Sequence, residues 1–432
     1  MKTNSTRRTL IKGAVGLSGV ALGATNSGAL FAQNLPTLSD WGWPKKYERI
    51  SDKSIAWLKS KGWWPLRVAW NPTWSDGNAT LFAMRQNDLL GKRGLSSEFV
   101  PLLTAGLMNE AYIPGNVQVA QAGSLGLLRL VDLKVPTIAV AAYPAQRQAF
   151  LVPNDSPLKN GLQDLKGQKV LKRPAVVGVT VGSTNHLGLL IAAKTLGLED
   201  GKDFIIKNMG PADIILMPQG IDVVGIWEPN VLLMVEVRKN ARILELIDRY
   251  EVFNGYSYMR GELEANAPDV VQAYCDAFLE AKLIVRHDPE RLIADFTKDV
   301  SQRGRDETLI RRDILIHVVD PKPTLNYVFE NTKGFFSDLE IFQAGIMQDA
   351  GVLKRRYSID ELKSVLRPGY LGKSFQKLNW KIPDQPVFIP AGWKGEIGKP
   401  PYPDYGLMLM GKQDFPGKGD LTGPWSFKGR KY

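Results

Sequence analysis

The chain of 432 residues has few of the side chains that build metal centres and disulfide frameworks. Its single cysteine, Cys275, excludes an internal disulfide and a thiolate metal site. Its three histidines, His186, His287 and His317, are widely spaced, and none belongs to a His-Glu-x-x-His motif. The sequence also lacks the Gly-x-x-x-x-Gly-Lys-Ser/Thr loop that cradles nucleotide phosphates. We therefore expect neither a metal ion nor a cofactor.

Long apolar runs and dense basic stripes are lacking as well. Hydrophobic residues make up 44% of the chain and charged residues 23%, which is typical of a soluble globular protein. The formal net charge of +11 is compatible with an acidic ligand, a nucleic acid or a membrane surface. Because no basic stripe carries interleaved aromatics, we expect no nucleic-acid partner. The length exceeds what one simple core accommodates, so we expect two lobes.

The first 32 residues resemble an export signal. Residues 6–12 read Thr-Arg-Arg-Thr-Leu-Ile-Lys, which is similar to the twin-arginine pattern, with Leu10 where phenylalanine is usual. Residues 13–32 are too polar for a stable membrane span, and Ala29 or Ala32 allows cleavage. This segment predicts export of the folded protein to the bacterial periplasm, either soluble or loosely anchored. A disordered basic tail is the alternative.

Strand and helix patterns alternate after an aromatic lead-in at residues 33–63. Predicted strands lie at 66–70, 97–101, 118–122, 136–142, 176–181, 204–207 and 222–227. Predicted helices lie at 79–90, 102–110, 187–196 and 268–286, and residues 289–367 are mostly helical in pattern. This alternation predicts an α/β fold with mostly parallel sheets. Residues 368–432 are rich in proline, glycine and aromatics without periodicity, so we expect an extended C-terminal tail.

A run of small and polar residues, from Gly182 to His186, stands directly before an apolar helix pattern that stops at Gly197. Ser183 or Thr184 is expected to cap this helix with a side-chain oxygen. The N–H groups at a helix start, together with the helix dipole, favour a bound anion. The segment therefore predicts a neutral socket for a carboxylate or sulfonate. An ordinary capped junction between loop and helix is the alternative.

Polar and aromatic residues also follow other predicted strands. Ligands of open parallel sheets bind beyond the carboxyl ends of the strands, where these residues would converge. The candidate ligand-binding residues are Asn71, Thr73, Trp74, Gly123, Ser124, Tyr143, Gly182, Ser183, Thr184, Asn185, His186, Trp227 and Glu228. Turn, capping or core-packing roles are the alternatives for these positions. Three aromatics among them favour an organic, even aromatic, acid over an inorganic anion.

Two charged residues bear on this prediction. Arg147 is a candidate counter-charge, because a guanidinium fork suits a carboxylate or sulfonate, although a surface arginine is the alternative. Glu228 would repel an anion if it faced the site. Either Glu228 faces away, or the solute also carries a donor or a cation.

Three segments in order resemble the nitrate/sulfonate/taurine group of periplasmic solute-binding proteins, which serve ATP-driven importers. They are Asp-Leu-Lys-Gly-Gln-Lys-Val at 164–170, Gly-Ser-Thr-Asn-His at 182–186, and residues 220–229, which end in Trp-Glu-Pro. Val223 stands where the group usually has alanine. The resemblance covers roughly residues 64–290. The lead-in and the long C-terminal region fall outside it and are more similar to the longer nitrate- and bicarbonate-binding members.

The resemblance implies a bilobed periplasmic-binding-protein type II fold, with two mixed α/β lobes joined by two hinge strands. Lobe 1 would hold residues 64–152 and 252–367, lobe 2 residues 153–251, and the hinges would lie at 150–152 and 251–253. It further implies a monomer without enzymatic activity that captures a small anionic solute. Closure of the cleft around the solute would then present it to a membrane permease with its ATPase.

Two enzymatic alternatives stay open. The segment Ala-Gly-Ser-Leu-Gly at 122–126 differs at one position from the Gly-x-Ser-x-Gly nucleophile elbow. Ser124 could therefore be the nucleophile of a hydrolase that uses His287 or His317. Pyrimidine-precursor synthases share the bilobed fold and need a pyridoxal-phosphate lysine and a reactive histidine. No pattern in this sequence demands either group.

Overall fold

The computed structural model of the chain describes residues 46–143, 148–252, 254–317, 335–377, 394–403, 426–427 and 430–431. The predicted export signal and residues 33–45 of the lead-in lie outside the described residues. Within these ranges, no helix is both long and apolar enough to cross a membrane. The described strands form two five-stranded sheets and one short two-stranded pair.

Seven of the ten strands in the two large sheets lie at predicted positions, whereas the strands at 148–153, 241–246 and 255–260 were not predicted from the apolar pattern. In chain order the ten strands are β1 (Leu66–Trp70), β2 (Ser97–Pro101), β3 (Val119–Gly123), β4 (Thr137–Tyr143), β5 (Gln148–Pro153), β6 (Ala175–Val179), β7 (Phe204–Asn208), β8 (Val223–Trp227), β9 (Ala241–Leu246) and β10 (Gly255–Arg260). The short pair consists of β11 (Ser426–Phe427) and β12 (Arg430–Lys431). Strands β1, β3, β5, β8 and β10 are almost entirely buried, as is usual for strands that are covered on both faces.

The two sheets have the same architecture. The first has the order β2-β1-β3-β10-β4 and the second β7-β6-β8-β5-β9. In each sheet three neighbouring strands are parallel, and one strand lies antiparallel to both of its neighbours. That antiparallel strand is β10 in the first sheet and β5 in the second. Each therefore enters its sheet directly after the chain has crossed from the other one.

The first crossing lies earlier than the sequence predicts. The expected hinge at 150–152 falls inside β5, where Phe150 pairs with Gly225 of β8. Phe150, Leu151 and Val152 are fully buried, because this strand is covered on both faces. The chain thus changes sheets before β5. The return follows the 3-10 helix Ile247–Arg249, close to the predicted 251–253, although Phe253 lies outside the described residues.

Helices cover both sheets. In chain order the described helices are α1 (Asp52–Ser60), α2 (Ser75–Gln86), α3 (Ala105–Tyr112), α4 (Ser124–Asp132), α5 (Thr184–Leu196), α6 (Pro211–Ile214), α7 (Asn230–Leu232), α8 (Gly261–Asn266), α9 (Pro268–His287), α10 (Pro289–Lys298), α11 (Glu307–His317), α12 (Phe335–Asp349), α13 (Ile359–Lys363) and α14 (Pro368–Lys377). Short 3-10 turns lie at Gly91–Arg93, Leu162–Gln168 and Val300–Gln302, and a π turn at Leu233–Val237. Helix α9 has proline at its start, as predicted, and packs on α2 in the core beneath the first sheet.

The C-terminal region differs from the expected tail, because it begins with helix α14. Leu371 and Phe375 stand one helical turn apart and are buried in the core beneath the first sheet. Burying each side chain stabilises the fold by about 1.5–3 kcal/mol. Ser374 also donates a hydrogen bond to Asp276 of α9. The surrounding prolines and glycines hid this short apolar spacing in the sequence.

Candidate functional site

A cleft of about 700 Å³ of non-protein space, partly open to solvent, lies where the carboxyl ends of the two sheets face each other. Its walls come from the loops that follow β1, β2, β3, β6 and β8. The lining residues are Asn71, Trp74, Leu103, Thr104, Ala105, Gly106, Met108, Gln121, Ala122, Gly123, Leu125, Gly126, Thr180, Val181, Gly182, Ser183, Thr184 and Trp227. Both sheets therefore contribute to one site, as the rule for open sheets predicts.

Helix α5 begins in this cleft without a side-chain cap. Ser183 is the N-cap residue, and its side chain makes no capping hydrogen bond. The hydroxyl of Thr184 donates instead to Oε1 of Gln148, at 3.0 Å. The predicted cap is therefore wrong, for the polar side chains at the helix start are used elsewhere. The first N–H groups of α5 have no intrahelical acceptor, and Gly182, Ser183 and Thr184 expose this end to the cleft.

Two of the predicted residues in this turn point away from the cleft. Asn185 is fully buried and donates to Oε1 of Gln148, at 2.6 Å. His186 is also buried, and its Nδ1 accepts the N–H of Gly182 at 3.4 Å. Burial lowers the pKa of His186, so the neutral imidazole is favoured. Both side chains shape the turn, which adopts a φ of +83° at Gly182.

The opposite wall presents further helix starts. Helix α3 begins at the cleft after Thr104, whose hydroxyl caps it by accepting the N–H of Leu107 at 3.2 Å. Helix α4 follows Gly123 and has no side-chain cap, although the N–H of Ser124 donates to the carbonyl of Asn254. Positive ends of helix dipoles thus face the cleft from both lobes.

The loop after β1 is held by its own side chains. Oδ1 of Asn71 accepts the N–H and the hydroxyl of Thr73, at 2.9 and 2.7 Å, and its Nδ2 donates to the carbonyl of Leu103. Asn71 lines the cleft, but its amide is occupied by this loop, and Thr73 lies outside the lining. The loop in turn places Trp74 in the cleft wall.

Ser124 does not face the cleft. It is completely buried, and its hydroxyl donates to Oε1 of Gln343 in α12, at 3.0 Å. The prediction that its hydroxyl contacts a ligand is therefore wrong, because the side chain points back into the protein. Ser124 is therefore not placed to serve as the nucleophile of a hydrolase in this cleft.

Glu228 also faces away from the cleft, so its carboxylate is not among the groups that an anion in the cleft would meet. The carboxylate is fully buried, and Oε2 accepts the N–H of Leu232 at 3.0 Å. It therefore caps the turn that follows β8. Successive strand residues point to opposite sides, so Trp227 faces the cleft while Glu228 does not.

Trp74 and Trp227 pack against each other and give the cleft an aromatic wall. Apolar side chains of Leu103, Met108 and Leu125 continue this surface on the first lobe, and Val181 faces it from the second. The cleft thus combines apolar walls with uncapped helix starts. Such a surface suits a solute with an anionic head and an organic body.

No charged side chain occurs among the residues that line the cleft in the described part of the chain. A cation nevertheless lies close to the glycine turn, since Nη1 of the exposed Arg129 is 3.8 Å from the position that a Cβ atom on Gly182 would occupy. Arg129 comes from α4, in the other lobe. The sequence pattern did not single it out. The predicted counter-charge Arg147 and the side chain of Tyr143 lie outside the described residues.

Several lining residues were not predicted from the sequence. Thr104, Ala105 and Gly106 lie at the start of α3, and Thr180 and Val181 directly precede the glycine turn. The rule that pointed to the other strand ends applies equally to β2 and would have found the first three. Among the described residues, no group of histidine, cysteine and acidic side chains is arranged to hold a metal ion.

The sequence matches no protein-family model and no curated protein. Its structure is similar to the periplasmic aliphatic sulphonate binding protein SsuA of Escherichia coli, with a TM-score of 0.56 and 19% identity over 68% of this chain and 96% of that one. The alkanesulfonate-binding protein SsuA of Xanthomonas axonopodis pv. citri, solved with bound MOPS, gives 0.57 and 18% over 70% and 97%. The periplasmic nitrate-binding protein NrtA of Synechocystis PCC 6803 gives 0.59 and 14% over 74% and 91%.

Identities below one fifth establish the fold alone. Each of these neighbours is covered over more than nine tenths of its length, so the similarity extends over both lobes. The expected fold class is confirmed: two mixed α/β sheets enclose a cleft at their carboxyl ends. The chain has the bilobed α/β fold of periplasmic sulfonate- and nitrate-binding proteins.

Proposed function

We propose that this protein is the periplasmic solute-binding component of an ATP-binding-cassette importer, and that it captures a small organic anion in the cleft. The observation that carries the proposal is the uncapped start of α5, which opens into a cleft between two lobes. A helix start of this kind binds a carboxylate or sulfonate through N–H groups and the dipole.

The neutral walls support an anion that is held without a fixed ion pair. In an empty cleft, a buried charged side chain would have to pair with another charged group of the protein. Backbone N–H groups at a helix start remain available to bind the anion. Arg129, close to Gly182, adds a screened attraction that draws anions toward this part of the protein. The carboxylate of Glu228 is buried and accepts the N–H of Leu232, so it does not meet the anion directly.

The aromatic and apolar walls favour an organic solute over a small inorganic anion. Trp74, Trp227 and Leu103 offer surface that only a carbon-containing body can cover. The sulfonate-binding neighbours, one of them solved with MOPS, are consistent with this class of ligand. Nitrate binding is the alternative, because one of the similar structures is the nitrate-binding protein NrtA.

The remaining steps of transport follow from the same proposal. The twin-arginine-like segment would direct the folded chain to the periplasm, where it acts as a monomer. Closure of the lobes around the solute would create the surface that an inner-membrane permease and its ATPase recognise. The solute would be released from the protein without chemical change, because the role of the protein is to deliver the solute and not to convert it.

Titration calorimetry with purified protein tests this proposal. The anions are MOPS, benzenesulfonate, benzoate, nitrate and bicarbonate, each followed by chromatography of the recovered solute. We expect saturable binding of one molecule per chain for at least one organic anion, and unchanged solute afterwards. Conversion of the solute over time would contradict a transport role. Binding of nitrate alone would contradict the organic ligand.

A further inference from the structure

Helix α12 lies behind the cleft and packs against both α4 and α5. These two helices begin at the cleft on opposite lobes, so α12 touches the back of both walls. It belongs to the C-terminal region outside the family resemblance. Its polar residues on the inner side are buried, among them Glu340 and Gln343.

Gln343 joins α12 to the first lobe and to the return crossing. Its Oε1 accepts the hydroxyl of Ser124, the first residue of α4, at 3.0 Å. Its Nε2 donates to Oε1 of Glu251 and to the carbonyl of Val252, both at 3.2 Å. One turn earlier, Glu340 accepts from Asn254 at 2.7 Å, so α12 holds this crossing at two places.

Glu251 continues the connection to the second lobe. Its Oε2 accepts from Nε2 of Gln148, at 3.0 Å, and Gln148 opens β5 directly after the first crossing. Oε1 of Gln148 accepts from both Thr184 and Asn185 at the start of α5. An unbroken chain of side-chain hydrogen bonds therefore links the first residue of α4 to the first turn of α5.

All of the linking side chains are at most a few per cent exposed, from Ser124 through Gln343, Glu251 and Gln148 to Asn185. In such surroundings a broken hydrogen bond leaves a desolvated polar group, which makes the arrangement strongly preferred over its alternatives. This chain of hydrogen bonds passes through both places where the polypeptide crosses between the lobes. It is therefore placed to fix the angle at which the two walls of the cleft meet.

We propose that α12 is a positioning element of the binding site, and that Gln343 and Glu251 set the relative orientation of the helix starts in α4 and α5. The inference rests on the proposed function for its ligand, although the orientation itself is a property of the empty protein. An anion that contacts both walls then binds to a preformed site, since the ordering of the walls is complete before it arrives.

The test exchanges the donor, Gln343, and the acceptor, Glu251, at the centre of the hydrogen-bond chain. Gln343→Glu removes the donor to Glu251 and sets two carboxyls against each other. The double variant Gln343→Glu with Glu251→Gln restores one donor and one acceptor between the two positions, and Gln148 and Ser124 still find acceptors. Gln343→Asn keeps the amide but is one methylene too short to reach both partners, and it serves if Gln343→Glu does not fold.

Hydrogen exchange of the ligand-free protein is the first readout. For Gln343→Glu we expect exchange to become about tenfold faster in peptides that contain the starts of α4 and of α5, the effect of losing about one buried hydrogen bond. The double variant should return both peptides to the wild-type rate. Faster exchange confined to α12, or no recovery in the double variant, would overturn the proposal.

MOPS titration of the same proteins is the second readout. We expect weaker binding in Gln343→Glu and recovery in the double variant. Wild-type protein could fail to bind MOPS while hydrogen exchange in the variants follows the expected pattern. That result would contradict the proposed binding of a sulfonate but would support the positioning role of α12. If MOPS binds equally to all variants, the orientation set by α12 does not serve the site, and the proposal is overturned while the proposed function remains.

Discussion

Trp74 and Trp227 are in contact although they follow strands of different sheets. Trp74 belongs to the loop after β1 in the first lobe, and Trp227 ends β8 in the second. The pair therefore spans the cleft at its aromatic wall. Any change in the separation of the lobes, or any solute that enters between them, alters the surroundings of both indoles.

Replacing Trp227 by phenylalanine tests this arrangement. Solute binding should change the tryptophan fluorescence of the wild-type protein, and Trp227→Phe should lose part of that change because one of the two indoles of the cleft is gone. Trp57 packs edge-on against Trp63, with ring centroids 5.6 Å apart, and neither lines the cleft. Trp57→Phe is thus the matched control, and an equal loss of signal in both variants would refute the assignment.

Thr184 allows a direct test of the helix start as an anion socket. Proline is accepted at the first position of a helix, and Ser183 already has the extended backbone that a following proline requires. Thr184→Pro therefore removes one N–H group, while Thr184→Val removes only the hydroxyl. A hydrogen bond to a charged group contributes about 1.5–3 kcal/mol, so calorimetry should find affinity at least about tenfold lower in Thr184→Pro than in Thr184→Val. Equal affinities would place the anion elsewhere.

Arg129 should act on the rate of capture more than on its strength. The side chain is exposed, so its attraction is screened by salt. We expect Arg129→Gln to slow the association of MOPS several-fold at low ionic strength and to flatten its salt dependence, as stopped-flow fluorescence would measure. Lys169 is exposed and does not line the cleft. If Lys169→Gln had the same effect, net charge rather than position would be responsible.

The sequence predicted seven of the ten strands in the two large sheets, because each of those seven has a local apolar pattern, and it missed β5, β9 and β10. The start of α5 was located for the same reason, since Gly182 and Gly197 frame an apolar segment. The direction of individual side chains was not accessible in this way. Whether Trp227 or Glu228 faces the cleft depends on the phase of the pleat, and the inward turn of Ser124 depends on Gln343, 219 residues away.

The helices between residues 289 and 367 agree with the mostly helical pattern predicted there, whereas helix α14 was missed for a related reason. Helix α14 buries only Leu371, Gly372, Ser374 and Phe375, which is too short a pattern to stand out among prolines and glycines. The role of α12 arises from contacts with α4 and α5, which are distant in sequence. Contacts of this kind leave no periodic signal in the chain.

Burial of Glu340 predicts a pH dependence of stability. Burial raises its pKa from 4.5 to about 7, so the folded protein retains a proton that the unfolded chain has already released. Between these pH values the folded state binds more protons, and the free energy of unfolding must fall as pH rises from about 4.5 through about 7. The stabilising contribution of the retained proton is fully present below this range and lost above it.

Glu340→Gln should remove this contribution and keep the acceptor for Asn254 and Tyr256. We therefore expect its melting temperature to fall less than that of the wild type as pH is raised across the same range, as followed by circular dichroism. Glu110 is exposed, so Glu110→Gln provides the control. An unchanged pH profile in Glu340→Gln would mean that other buried acids, such as Glu251, account for the dependence.

Native mass spectrometry tests the central claim most directly. Wild-type protein and Thr184→Pro would be purified and then exposed to a mixture of MOPS, benzenesulfonate, benzoate, nitrate and bicarbonate. The account predicts one organic anion of unaltered mass on each wild-type chain and much lower occupancy in Thr184→Pro. Wild-type protein that stays free of every organic anion, or that releases a chemically altered one, would contradict it.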